Sequence, residues 1–122
     1  MYLVSTKSAF ATLIFRLFPP EISHSLALNS LKVANTLGLE FKPEKNKDLS
    51  KTETLLGMNF KNRLGISAGL DKNGDFIQCL SNLGIGFLEV GTVTPRPQKG
   101  NPKPRLFRDI KNLSLINSMG FN

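Results

Sequence analysis

Three stretches of different hydrophobic rhythm follow one another along the 122 residues. Residues 3–18, LVSTKSAFATLIFRLF, are apolar almost all round: Ala9, Phe10, Leu13, Ile14, Phe15, Leu17 and Phe18 are interrupted by charge only at Lys7 and Arg16. Ser5 or Thr6 is the candidate N-cap of a helix here. Such a helix is too short to span a bilayer, so its surface must lie in a protein core or at a membrane interface. Pro19 and Pro20 end it, because proline lacks the N–H of the helix ladder and restricts the residue before it. Pro20 at the first position, with Glu21 in the first turn, starts a second helix. That helix runs to about Leu37, carries Ile22, Leu26, Val33 and Leu37 along one stripe, and meets its stop signal at Gly38. The pattern predicts a helical hairpin over residues 1–41.

Residues 42–54, KPEKNKDLSKTET, are polar, mixed in charge and without period, which reads as a solvated linker. From Leu55 short apolar runs alternate with turns. LLGMNF (55–60) predicts a strand, and LGISA (64–68) a second one after the turn at Lys61-Asn62-Arg63. A helix follows from Gly74 to about Leu83, with Phe76, Ile77 and Leu80 on one side, and then the strand run IGFLEVGTV at 85–93. Strand, helix and strand with a short crossover make a βαβ unit and hence a parallel sheet. The chain is therefore read as α/β: a helical hairpin (1–41), a linker (42–54), and from 55 to 122 the opening of a larger α/β domain.

Composition narrows the class. With 40% hydrophobic residues, the chain is too apolar for a disordered one, and it has no Gly-X-Y period. The one cysteine, Cys79, allows no internal disulfide, and the N-terminus lacks the organisation of a secretory signal, which points to a reducing, cytosol-facing compartment. The net charge of +7 raises the question of an anionic partner. Residues 1–41 hold three bases and two acids, 42–63 six and three, and 64–122 seven and four, so no segment forms a basic block. Nucleic acid is not the expected partner, because acids and prolines interrupt the basic residues throughout. His24 is the only histidine, and no metal site is expected around it.

Ligands of parallel α/β folds sit at the C-terminal ends of strands, where backbone N–H groups and helix N-termini converge. The first such end is Ser67-Ala68-Gly69-Leu70-Asp71-Lys72. Ala68 and Gly69 leave the backbone open to a flat ligand, and Lys72 adds a cation, features that suit a flavin. Two readings of this loop are open on its residues alone, the flavin cradle and a plain turn with a solvated lysine. The second end, Val90-Gly91-Thr92-Val93-Thr94-Pro95, offers the Thr92 hydroxyl beside a glycine. Residues 95–108, PRPQKGNPKPRLFR, hold four of the seven prolines and cannot be a helix; an extended excursion or hairpin is expected. The stretch LSLINSMGFN then places polar, flexible residues after a short apolar run, the pattern of another ligand-facing loop.

AGLDKNG at 68–74, EVGTVTPRPQKGNPKPRLFR at 89–108 and INSMGFN at 116–122 together resemble dihydroorotate dehydrogenase, a flavoenzyme of the pyrimidine pathway. The preceding helical hairpin resembles the quinone-dependent, membrane-associated class 2 branch. The resemblance runs from Phe15 onward and implies a (β/α)8 TIM barrel. It implies that Ala68, Gly69, Leu70, Asp71, Lys72 and Thr92 hold FMN. It further implies that Lys72, Asn117, Ser118, Met119, Gly120 and Phe121 meet dihydroorotate or orotate, although Ser118 stands where the family commonly has Arg. His24 and Arg108 fall where the family lines its quinone tunnel.

The implied reaction removes the C5 proton of dihydroorotate while hydride leaves C6 for the flavin, and electrons then pass to a membrane quinone. The basic balance and the apolar helices suit a peripheral protein on the cytoplasmic face of the inner or cell membrane. A barrel of this kind takes about 250 residues, so an incomplete barrel with two of its strands is expected, an N-terminal fragment inactive alone. The family's catalytic base, a serine, is expected beyond Asn122. The alternative is a non-catalytic membrane-surface or adaptor protein built on the hairpin.

Overall fold

The computed structural model describes residues 6–39 and 51–122. The predicted helix start at residues 3–5 and linker positions 42–50 lie outside the described residues. The chain forms two compact units: one holds the chain up to Ser30 together with Lys99–Phe121, the other Leu31–Gln98 together with Asn122.

In the first unit, α1 spans Thr6–Arg16 and α2 begins at Pro20. The two prolines separate them as expected. Leu17 N–H donates to the Ile14 carbonyl (3.1 Å) and Phe18 N–H to that of Phe15 (3.4 Å), tightening the last turn before Pro19. The apolar stripe of α2 is not what this helix buries. Ile22, Leu26, Val33 and Leu37 are all exposed, whereas Ser23 and Leu28 are the buried residues of this helix. Apolar spacing alone does not say which side of a helix faces its own unit, and here the polar Ser23 is taken inside by hydrogen bonding. β5 (Leu106–Asp109) and β6 (Ser114–Asn117) form an antiparallel hairpin, pairing Leu106 with Asn117 and Asp109 with Ser114. Asp109 shapes its turn: Oδ1 accepts from the Asn112 backbone N–H (3.1 Å) and Oδ2 from the Asn112 side-chain amide (2.7 Å).

α2 (Pro20–Thr36) continues into the second unit and ends on a glycine stop. Gly38 has φ 72°, its N–H donates to Asn35 O (3.1 Å), and Leu39 N–H donates to Ala34 O (3.0 Å), the paired bonds of a Schellman motif. The strand predicted at 55–60 is corrected to a hairpin. β1 (Glu53–Leu55) and β2 (Met58–Phe60) pair antiparallel, with Leu55 opposite Met58. The two-residue loop between them has positive φ at Leu56 (52°) and Gly57 (77°), the twist that tight hairpins need. β1 starts at Glu53, two residues inside the stretch read as linker.

β3 (Gly65–Ile66) and β4 (Phe87–Leu88) pair parallel, and α3 (Ile77–Ser81) lies between them in sequence, so the βαβ unit is present. Each element is shorter than its apolar run. Gly74, at φ 79°, lies outside helical conformation, so the helix cannot start there. Cys79 and Leu80 on α3 are buried, and Phe60 stacks edge-on against Phe87 with ring centroids 5.6 Å apart. Gly65 is obligatory beneath that ring, since a Cβ there would come within 2.1 Å of Phe87. The described residues hold no helix long and apolar enough to cross a membrane. The architecture is mixed α/β, with three two-stranded sheets and no closed barrel among the described residues.

Candidate functional site

In the second unit the parallel register sets the site. Gly65 is level with Phe87 and Ile66 with Leu88, so the loops after β3 and β4 leave from the same end of the pair. Glu89 N–H donates to Ile66 O (2.9 Å), extending the ladder by one bond, and the Ala68 N–H approaches Glu89 Oε2 at 3.4 Å. Ala68 and Gly69 are exposed. Gly69 has φ 105°, a conformation that side chains disfavour, and a Cβ built on it would meet nothing within 4 Å. The backbone at Gly69 is therefore uncovered, as a flat ligand requires. Thr92 is exposed on the loop after β4, beside the buried Gly91.

Asp71 is what gives the first loop its shape. It is 2% exposed, and its carboxylate accepts three backbone N–H groups: Gly74 (3.0 Å) and Asp75 (3.0 Å) on Oδ1, Phe76 (2.8 Å) on Oδ2. These amides precede α3, whose own N-cap residue, Phe76, makes no side-chain cap. Asp71 thus serves as a remote cap, and its neighbours in sequence, the half-buried Leu70 and Lys72, are fixed with it. The Lys72 ammonium donates to Asn122 Oδ1. Neither the capping role nor the pairing of Lys72 with Asn122 is readable from the sequence pattern; the signal for the former is an Asp three residues before a glycine at a helix start.

The loop that follows β6 belongs to the first unit. Asn117 is its last strand residue, and Ser118 N–H donates to Arg105 O at 2.8 Å. Asn101 organises the rest. Its Nδ2 lies 2.9 Å from Ser118 O and 3.2 Å from Ser118 Oγ, and its backbone N–H donates to Met119 O at 3.0 Å. Gly120, at φ 71°, runs close to the same residue: a Cβ there would lie 3.1 Å from Asn101 N. Phe121 is exposed. Asn101 is a site residue that periodicity could not find, because it sits within the Gly-Asn-Pro turn and acts across 17 positions.

Also in the first unit, Glu21 receives Arg105 through Nε (3.0 Å) and Nη2 (2.8 Å) on one oxygen, with Lys103 Nζ at 3.3 Å. Arg105 is buried and donates its other Nη to Lys99 O (3.1 Å). The Arg105 hydrogen bond, helped by Lys103 and opposed by partial burial, holds the Glu21 carboxyl below its ordinary range. His24 is half-buried on α2. Arg108, on β5, directs its guanidinium to backbone carbonyls near the end of α1 and to Ser23, the residue before His24. Among the described residues, no three His, Cys, Asp or Glu side chains gather as a metal site would require.

A parallel strand pair with an uncovered glycine and a hydrogen-bonded lysine at its mouth defines a mixed α/β protein with a candidate site at its strand ends. The family profile described as Dihydroorotate dehydrogenase matches residues 50–122, and the chain belongs to that family. It is 53% identical over 110 residues to dihydroorotate dehydrogenase (quinone) of Methylococcus capsulatus, covering 90% of this chain and 32% of that protein. The enzyme of the same name from Nitrosospira multiformis is 48% identical over 116 residues, with 94% and 32% covered. Among solved structures, that of DHODH from Eimeria tenella in complex with ferulenol is similar with a TM-score of 0.70 and 39% identity, over 86% of this chain and 27% of that one. The chain spans about a third of the length of the curated relatives it matches. Their shared name describes an oxidoreductase, which agrees with the resemblance carried by the motifs at 68–74, 89–108 and 116–122.

Proposed function

We propose that the whole protein oxidises dihydroorotate to orotate, a step of pyrimidine biosynthesis, with FMN as its flavin and a membrane quinone as final acceptor. The observation that carries this reading is the β3–β4 mouth: an uncovered Gly69 next to Ala68, with Lys72 half-buried and hydrogen-bonded, in a chain of this family. When bound, FMN supplies two-electron redox chemistry to that mouth.

The residues divide the work by their chemistry. Ala68 and Gly69 offer bare backbone to a flat ring, and Thr92 offers a hydroxyl. Asp71 acts through the loop it shapes, since its carboxylate already accepts three amides. Lys72 brings positive charge for an anionic pyrimidine carboxylate, and Asn117 brings an amide able to donate and accept toward its ring carbonyls. Ser118 has its hydroxyl beside Asn101, so the 118–121 loop presents mainly backbone and the exposed Phe121 to a substrate. None of these side chains is assigned the base that takes the C5 proton. That role is assigned to the part of the relatives' length that this chain does not match.

The first unit is read as the acceptor side, with His24 and Arg108 toward the quinone. Phe10 (67% exposed) and Leu17 (78%) support a peripheral position at a membrane surface, which we place on the cytoplasmic face. In this reading residues 1–41 serve as the hairpin, 42–54 as a connector and 55–122 as the opening of the barrel. The test is the whole protein assayed with dihydroorotate and a quinone: one flavin per chain and turnover are expected, and the 122-residue chain by itself is expected to give none. A whole protein without flavin that still sediments with anionic vesicles would overturn the enzyme in favour of an adaptor.

A further inference from the structure

An α-helix ends with carbonyls that have no partner inside it, and they attract cations. α1 has no glycine with which to fold back on these groups, because Pro19 and Pro20 follow it. Beyond the local amides of Leu17 and Phe18, donors come from a residue some 90 positions away. Arg108 Nη1 lies 3.2 Å from Arg16 O and 2.5 Å from Phe18 O, and Nη2 lies 3.1 Å from Phe15 O and 3.0 Å from Ser23 Oγ. Ser23 is buried, and its hydroxyl in turn lies 2.5 Å from Phe15 O, so it can accept from Arg108 while donating to the same carbonyl that Arg108 reaches. All of these groups belong to the first unit.

We propose that Ser23 is a positioning residue for Arg108: its hydroxyl and the carbonyls at and just after the C-terminal end of α1 orient the Arg108 guanidinium, so that seating α1 and orienting Arg108 are one event. The planar fork suits this task better than an ammonium would, since four acceptors are met from two nitrogens in one plane. The consequence for electron transfer rests on the acceptor-side reading above. A quinone that used Arg108 would find its charge already aimed and partly neutralised by α1, and slackening α1 would misdirect it. Ser23, next to His24 in the sequence, is then the hinge pin between the two residues assigned to the acceptor.

The clamp is tested on the whole protein without substrate or quinone, by readouts that need no turnover, so its failure is distinguishable from failure of the enzymatic reading. In nitrogen-15 spectra the Arg108 guanidinium is expected to show hindered rotation, with separate Nη signals. Ser23→Ala should average them, and Ser23→Thr, which keeps the hydroxyl, should restore them. Arg108→Lys should speed exchange of the Leu17 and Phe18 amides about tenfold or more while leaving the Leu80 amide in α3 unchanged. Averaged Arg108 signals in the unmodified chain, or signals indifferent to Ser23→Ala, would overturn the proposal. If Ser23→Ala fails to fold, the Arg108→Lys exchange pattern decides: uniform acceleration that includes Leu80 also overturns it.

Discussion

Replacing Asp71 by Ala tests the loop that frames the proposed flavin mouth. The carboxylate of this 2%-exposed residue accepts from Gly74, Asp75 and Phe76 at 3.0, 3.0 and 2.8 Å. A hydrogen bond to a charged group contributes about 1.5–3 kcal/mol. The three share one carboxylate, and the exposed loop lets water reach part of the vacated site, so the sum is not additive. Asp71→Ala should therefore destabilise the second unit by about 3 kcal/mol, which for a small domain lowers Tm by on the order of 15 °C. Asp71→Asn keeps one acceptor oxygen but turns an NH2 group toward an amide N–H, so about half of that loss is expected. Urea denaturation followed by far-ultraviolet circular dichroism measures both, with the ratio between them as the sharper readout. An alanine variant within about 0.5 kcal/mol of the unmodified chain would refute the capping argument. So would an asparagine variant worse than alanine.

Three further outcomes follow from the same contacts. Glu21, held below its ordinary value of 4.5 mainly by Arg105, contributes stability that is present above pH 4.5 and is lost as pH falls through its lower folded value. Glu21→Gln should flatten that acid limb in a series of melts, and an unchanged limb would count against the pair. Gly65→Ala would bring a Cβ within 2.1 Å of the Phe87 ring and should cost about 1–3 kcal/mol; adding Phe87→Leu should recover most of it in the same denaturation assay. Gly69→Ala meets no atom within 4 Å, so only its backbone at φ 105° is strained, at about 1–2 kcal/mol; flavin content of the whole protein should fall much further than that small loss of stability implies.

The local stop and start signals were legible in the residues. Pro19-Pro20 separates two helices, Gly38 closes α2 with both bonds of its motif, and the turn chemistry around 67–76 divides strand from helix as its residue types require. The parallel pairing of β3 with β4 was legible from the strand–helix–strand order with its short crossover. The hairpin at 53–60 was not, because its tight turn puts Leu56 at positive φ, where leucine is seldom found, and one apolar run hid two strands. Contacts across long separations were equally hidden. Arg105 reaches Glu21 across 84 positions and Arg108 reaches Phe15 across 93, and no periodicity encodes which carbonyl or carboxylate an arginine selects. At the candidate site, Ala68, Gly69 and Lys72 could be named from small-residue and charge logic. Their supports, Asp71 as a cap and Asn122 on Lys72, and separately Asn101 on the 118–120 loop, act through backbone groups and amide side chains that a residue pattern leaves unspecified.

The central claim is that the β3–β4 mouth serves dihydroorotate oxidation, and one anaerobic titration tests it most directly. The whole protein carrying these residues, purified with its flavin, is mixed with dihydroorotate and no quinone. Loss of the oxidised flavin absorbance is expected, with one orotate formed per flavin, and no such loss in Lys72→Ala that still retains flavin. A flavin whose absorbance dihydroorotate leaves unchanged would contradict it, as would a Lys72→Ala protein reduced as readily as the unmodified one.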